Sequence, residues 1–156
     1  MNQENDTLLF KERSMIEFFD GVHRFLSNFD YSPVHAFGRT FKTLEHAFQF
    51  AKTNNLEWQN QIANAPTPSQ AKHLGRRCPL RSDWNQIKDQ VMKDLLAIKF
   101  SNVLLKKKLL LTKGCILIEG NTWHDNYWGD CHCSKCISIK GKNKLGRFLM
   151  ELRDSL

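Results

Sequence analysis

No run of apolar residues in this sequence approaches the roughly 20 that a helix needs to cross a bilayer. The first stretch, Met1 to Arg13, is polar, carries Glu4 and Asp6, and lacks the basic, apolar and small-residue order of a secretion signal. The expectation is a cytoplasmic protein with no membrane partner. Internal repeats, low-complexity tracts and a convincing linker are also missing. The 156 residues therefore read as a loose arm over 1–13 and one domain over 14–156, large enough for a hydrophobic core. An even cysteine count is missing too: five residues cannot all pair internally, and three of them fall within six positions, a poor disulfide framework. Acid is in deficit as well. Asp and Glu total 16 against 23 Lys and Arg, leaving a formal charge of +7. A basic surface attracts nucleic acid or phosphate-bearing ligands. Charge alone is equally that of a solubilising excess, because composition does not reveal a patch.

What is present reads as α+β, mainly α-helical, with a few short strands. Ser14–Phe19 suits a strand and Val34–Phe41 a hairpin about Gly38. Leu44, Ala47, Phe48 and Ala51 share one helical face from a start near Thr43. Thr67, Pro68 and Gln70 open a short helix that ends near Gly75. Ser82 is placed to cap a helix whose apolar stripe is Trp84, Ile87, Val91, Leu95 and Ile98. A further helix is predicted over Asn102–Leu111, a short buried strand over Cys115–Ile118, and a last helix after Asn143. Residues 119–141 have no apolar period and read as a long loop, a kind often functional in compact domains.

Four constellations could carry chemistry. Glu45, Gln49 and Lys52 recur at i, i+4 and i+7, so they share a polar stripe able to bind a ribose and activate water. The same pattern also describes a solvent face with an acid in the first turn, where the helix dipole favours negative charge; spacing alone favours that plainer reading. Glu119–Asp130 combines Glu119, Asp125 and Asp130 with Trp123, Tyr127, Trp128 and His124. Carboxylates stabilise an oxocarbenium-like state and aromatic rings stack on bases, although such a loop also anchors itself on a core. Cys131, Cys133 and Cys136 could offer three thiolates to zinc, with His132 or His124 as a fourth ligand. No second cysteine pair stands at finger spacing, so the set is read as one donor short and no metal is expected. Finally, Gly141-Lys-Asn-Lys-Leu-Gly146 could cradle phosphate oxygens on backbone amides, or Asn143 could simply cap a helix. Its spacing is not that of a P-loop. Lys72, Arg76 and Arg77 form a basic helix end that would serve a phosphate equally well.

Several of these pieces occur together in one order: Phe25-Leu-Ser-Asn-Phe29, Glu45-His-Ala-Phe-Gln-Phe-Ala-Lys52, Leu74-Gly-Arg76, Trp84 with Lys88 and Met92, Asp125-Asn-Tyr-Trp-Gly129, and Gly141 through Arg153. The sequence thereby resembles the NADAR, or YbiA-like, family from about Ile16 to Leu152. The resemblance implies a compact, largely helical single-domain YbiA-like fold. It also implies a glycosidase acting on N-ribosyl compounds, either ribosylamino-pyrimidine intermediates of riboflavin synthesis or ADP-ribosylated guanine in nucleic acid. By position, the family's functional glutamate falls on Glu45, its helix-opening tryptophan on Trp84, and its acid-aromatic loop on Asp125 and Trp128; Asn28 and Lys52 match polar positions. The cysteine-rich stretch departs from the shorter glycine-rich loop of the riboflavin-linked relatives. Together with the positive charge, that favours an ADP-ribosylated nucleic acid or an ADP-ribose-like small molecule as partner.

The resulting expectation is hydrolysis without a cofactor. Glu45, Asp125 and Lys52 are the catalytic candidates. Asn28, Phe29, Gln49, Arg76, Trp84, Tyr127, Trp128, Gly129, Lys142 and Asn143 are the substrate-binding candidates. A lysine attacking the opened sugar as an imine is a further mechanism, and a non-catalytic ADP-ribose or NAD binder is the rival of another class. No oligomeric state is read from the sequence.

Overall fold

Helices supply most of the ordered backbone in the computed structural model, which describes residues 15–156; the expected arm over 1–13 lies outside the described residues. In chain order the elements are β1 (Met15–Ile16), a 3-10 turn (Gly21–Leu26), β2 (Val34–Ala36), β3 (Arg39–Phe41), α1 (Leu44–Ala51), α2 (Leu56–Ala63), α3 (Pro68–Arg77), α4 (Trp84–Lys99), α5 (Val103–Leu111), β4 (Ile116–Leu117), β5 (Gly120–Asn121), β6 (Asp130–Cys131) and α6 (Lys144–Ser155). The mainly helical α+β expectation holds. Among the described residues no helix is long and apolar enough to cross a membrane.

The chain divides into two compact units, Ser27–Lys107 and, in the second, Lys108–Leu156 with the residues up to Leu26. In the first, β2 and β3 form the expected antiparallel hairpin, with Val34 opposite Phe41. Helices α1, α3 and α4 then pack around Phe41, Leu44, Phe48, Ala71, Met92 and Leu95, all buried. Thr43 caps α1 by accepting the His46 N–H at 3.2 Å, and Thr67 caps α3 by accepting the Gln70 N–H at 3.2 Å. Helix α2 has no counterpart in the sequence reading. Its apolar content is low and only Ile62 is buried, but Asn55 caps it by accepting the Trp58 N–H at 3.1 Å.

Helix α4 needs two corrections. It begins at Trp84 behind Asp83 and not behind a Ser82 cap, and the Asp83 carboxylate is engaged by Arg81 at 2.6 Å. Its buried face comprises Trp84, Met92, Leu95, Leu96 and Lys99, while Ile98 is exposed. A lysine lies on the inner face because its ammonium donates to the Ser27 carbonyl at 2.7 Å, which supplies the partner a buried charge requires.

In the second unit, β1 pairs in parallel with β4, and α6 packs on β4 through Leu145, Phe148 and Leu149. Arg153 on α6 is buried. Its Nη1 donates to the Thr112 and Cys115 carbonyls at 2.9 and 2.8 Å, closing the turn that leads into β4. The long segment expected to be loop holds one short parallel ladder, in which Gly120 faces Asp130 and Asn121 faces Cys131.

Candidate active site

Glu45 is 6% exposed and Gln49 2%. The polar stripe of α1 is therefore interior, and the plainer solvent-face reading is excluded by the fold. The Gln49 amide nitrogen donates to Glu45 Oε1 at 2.6 Å, which orients both side chains. Room for that amide comes from α3: a Cβ on Gly75 would stand 1.8 Å from Gln49 Oε1. A side chain at position 75 would push the Gln49 amide out of its place against Glu45. Asn28 lies beside the start of α1, where its carbonyl accepts the Glu45 N–H at 3.1 Å. Its amide nitrogen reaches Met92 Sδ at 3.6 Å. Asn28 Oδ1 and Gln49 Oε1 are both buried with no hydrogen-bond partner from the protein. Buried polar atoms left without protein partners beside a carboxylate suit a hydroxyl-rich ligand.

Lys52 ends the stripe. Its pKa is lowered from 10.5, first by loss of water around the ammonium; Glu45 and Cys78 oppose the shift, and Lys72 and Arg76 add to it. The ammonium stands 5.8 Å over the Phe48 ring. Lys72 lies 5.7 Å over Phe29, and Arg76 is exposed at the end of α3. Trp84, expected as a stacking surface, is 6% exposed and rests against Phe48 with ring centroids 5.2 Å apart. It forms the wall behind Phe48. Sequence reasoning gave no site role to Gly75 or to His46, whose imidazole is fully buried between Thr43 Oγ1 at 2.8 Å and the Ala65 carbonyl at 2.9 Å. A carbonyl only accepts, so Nε2 carries the proton and Nδ1 receives the threonine hydroxyl. Burial lowers the His46 pKa most, the Ala65 bond opposes this, and Lys42 lowers it further.

In the second unit the Asp125 carboxylate organises its own loop. Its Oδ1 accepts the N–H groups of Tyr127 and Trp128 at 3.1 and 2.9 Å. The Tyr127 and Trp128 rings meet edge to face at 4.8 Å, and Trp128 continues onto Phe148 at 6.3 Å. Lys142 and Lys144 place their ammonium groups 5.3 and 4.7 Å from the Tyr127 ring centre. Gly129 is required by a close approach, since a Cβ there would fall 2.2 Å from the Glu119 carbonyl.

Neither alternative for residues 141–146, a phosphate cradle on backbone amides or a side-chain cap by Asn143, holds, and the backbone amides show why the first fails. Those of Lys142, Asn143, Lys144 and Leu145 donate to the carbonyls of Asn126, Gly129, Tyr127 and Trp128 at 2.8–3.2 Å. The donors are spent inside the loop, so any grip on phosphate falls to the lysine ammonium groups. Asn143 does not cap α6 with its side chain either. It adopts φ 49° and ties β4 to the loop, donating to the Leu117 carbonyl and accepting from Glu119 N–H. The cysteine stretch is also not one donor short, because His124 folds back onto it.

The profile of the NADAR domain matches residues 11–156. N-glycosidase YbiA of Escherichia coli (strain K12) is 39% identical over 133 residues, spanning 83% of this chain and 79% of the relative. N-glycosidase Npun_R5314 of Nostoc punctiforme is 32% identical over 135 residues, spanning 83% of each. The NMR structure of E. coli YbiA superposes with a TM-score of 0.78 at 36% identity, covering 91% of this chain and 84% of that one. The chain belongs to the NADAR family and has the YbiA-like fold. It is an enzyme of the N-glycosidase class.

Proposed function

We propose that this enzyme hydrolyses the C1′–N bond of ADP-ribosylated guanine, releasing ADP-ribose from nucleic acid in the cytoplasm. The observation that carries the reading is the interior carboxylate of Glu45, held by Gln49 at 2.6 Å beside two unpartnered amide oxygens and a lysine of lowered pKa. Breaking the C1′–N bond leaves its electron pair on the base and positive charge on C1′ and the ring oxygen. A fixed anion in a dry site stabilises that charge as it develops. One water is consumed: its oxygen bonds to C1′ and its proton goes to the departing nitrogen. Glu45 orients the water or shields the cation, Lys52 and Asn28 hold ribose hydroxyls, and Arg76 meets phosphate. Asp125 is spoken for at Oδ1 by two backbone N–H groups, which makes Glu45 the stronger choice for the reacting charge. The excess of basic residues supports a polyanionic substrate.

A second reading has its own support. The riboflavin biosynthesis protein VVA0006 of Vibrio vulnificus is 31% identical over 140 residues, spanning 88% of this chain and 36% of the relative. The same bond chemistry on a ribosylamino-pyrimidine phosphate follows from that likeness. Product analysis on ADP-ribosylated DNA and on ribosylamino-pyrimidine phosphate, side by side, decides between them. Free ADP-ribose with restored guanine from the first substrate alone is the expected outcome. Turnover of the pyrimidine riboside alone replaces the first reading with the second.

A further inference from the structure

The loop between β5 and α6 carries a constellation that glycosidic hydrolysis does not use. His124, Cys131, Cys133 and Cys136 each offer one donor atom, and the four atoms lie within 4.8 Å of one another. His124 Nδ1 stands 3.2 Å from Cys133 Sγ and 3.4 Å from Cys136 Sγ. In a tetrahedral centre with Zn–S near 2.3 Å and Zn–N near 2.0–2.1 Å, neighbouring donors are separated by roughly 3.5–3.8 Å. The two histidine–sulfur separations come close to that spacing, and no two of the four atoms are more than 4.8 Å apart, so small side-chain shifts would close them around one such ion.

The backbone is arranged to make this happen. The β5–β6 ladder sets Asn121 opposite Cys131, so the turn that begins at Asn121 returns His124 to the cysteines. His124 itself adopts φ 67°, a left-handed conformation uncommon for a residue with a side chain, and one worth its cost where it aims a functional group. Two of the three sulfurs are held as acceptors. Cys131 Sγ receives the N–H of His124 at 3.3 Å and of Cys133 at 3.5 Å, and Cys136 Sγ receives the Asn126 amide at 3.4 Å. Donors around sulfur are the outer support that metal-bound thiolates require. His132, the other histidine of the stretch, is turned away: its Nε2 is 3.8 Å from Asp130 Oδ2 and its ring packs on Phe18.

We propose that His124 Nδ1 and the Cys131, Cys133 and Cys136 sulfurs bind one structural zinc ion. Three thiolates and an imidazole are the donor set that favours zinc, and four protein ligands leave no open position for chemistry. On binding, the three thiols release three protons to solvent, the neutral imidazole gives a lone pair, and no electron is transferred. The ion staples residues 124–136, the stretch that contains Asp125, Tyr127 and Trp128. The proposal is independent of the substrate reading, and its test does not use activity.

The full chain is produced in zinc-supplemented medium and purified under reducing conditions without chelator or polyhistidine tag. Elemental analysis is expected to give about one zinc per chain. Cobalt added to metal-free protein is expected to show the visible bands of a tetrahedral thiolate centre. His124→Asn, which tolerates the left-handed backbone but lacks the ring nitrogen, and Cys133→Ser are each expected to lose the zinc. Asn126→Ala, keeping all four ligands, is expected to weaken zinc binding about 10–100-fold. The wild-type protein should melt lower after chelation and recover when zinc is returned. Reduced protein that binds neither zinc nor cobalt overturns the proposal. So does zinc that persists in both ligand variants, or a disulfide among the three cysteines in freshly isolated metal-free protein.

Discussion

Glu45 and His46 are adjacent on α1, and both are buried for different ends. The Glu45 carboxyl accepts from Gln49 and lies on the helix that also carries Gln49 Oε1, a buried oxygen without a protein partner. Replacing Glu45 with glutamine keeps its shape and removes the charge. Glu45→Gln is expected to lower kcat by at least about 100-fold, the scale of a lost acid–base or charge-stabilising group, while the protein still melts cooperatively near the wild-type temperature. Retention of most of the wild-type kcat would remove Glu45 from the mechanism. His46 is structural, and its burial has a consequence for pH. Its folded pKa lies below the unfolded 6.5, so between those two values the unfolded chain binds more protons. The His46 contribution to stability is therefore expected to rise with pH through that window and to be level on either side of it. Thermal melts between pH 5 and 7.5 check this. His46→Gln should flatten the acid side of the curve, and an unchanged slope in that variant would assign the dependence to other groups.

At the scale of elements, α1 was readable from its spacing and its Thr43 cap, and α3 from Thr67, Pro68 and Gln70. Their capping bonds are the ones such residues make wherever a helix leaves amides without partners. Helix α4 was readable as a helix but not in its rotation. A lysine at position 99 looks like solvent face until the Ser27 carbonyl is placed against it. Trp84 shows the same ambiguity. As the first residue of α4, buried against Phe48, it serves as wall, so Trp84→Ala is expected to cost about 3–5 kcal/mol of stability. Urea unfolding measures it. A loss under about 1 kcal/mol with a raised KM would instead give the ring to the substrate. The long loop was legible only as a loop, since the bonds that shape it run between residues far apart in the chain, such as Asn143 to Leu117 at 2.8 Å.

For the whole molecule the open quantity is what the +7 charge serves. If nucleic acid is gripped beyond the modified nucleotide, activity on ADP-ribosylated DNA should fall steeply with salt, because each neutralised phosphate releases counterions. Activity on an ADP-ribosyl nucleoside, which meets only a few basic residues, should fall far less. The pair of substrates controls for any effect of salt on the fold. Equal slopes would make the charge ordinary surface and strengthen the small-molecule reading.

By itself the sequence determined the mainly helical class, most helix starts and the family, because capping, apolar period and an ordered set of motifs are local properties of a chain. It also named Glu45, Gln49 and Lys52 as one stripe, since a helix places i, i+4 and i+7 together whatever surrounds it. It did not determine which way that stripe faces. The stripe's inward turn comes with the packing of α1 against α3, where Gly75 meets Gln49, a contact made 26 residues away. Nor did it decide the fate of the amides at Lys142–Leu145 or the fourth donor beside the cysteines. Both depend on a loop that returns on itself by non-local hydrogen bonds, and spacing along a chain carries no record of a bond formed across it.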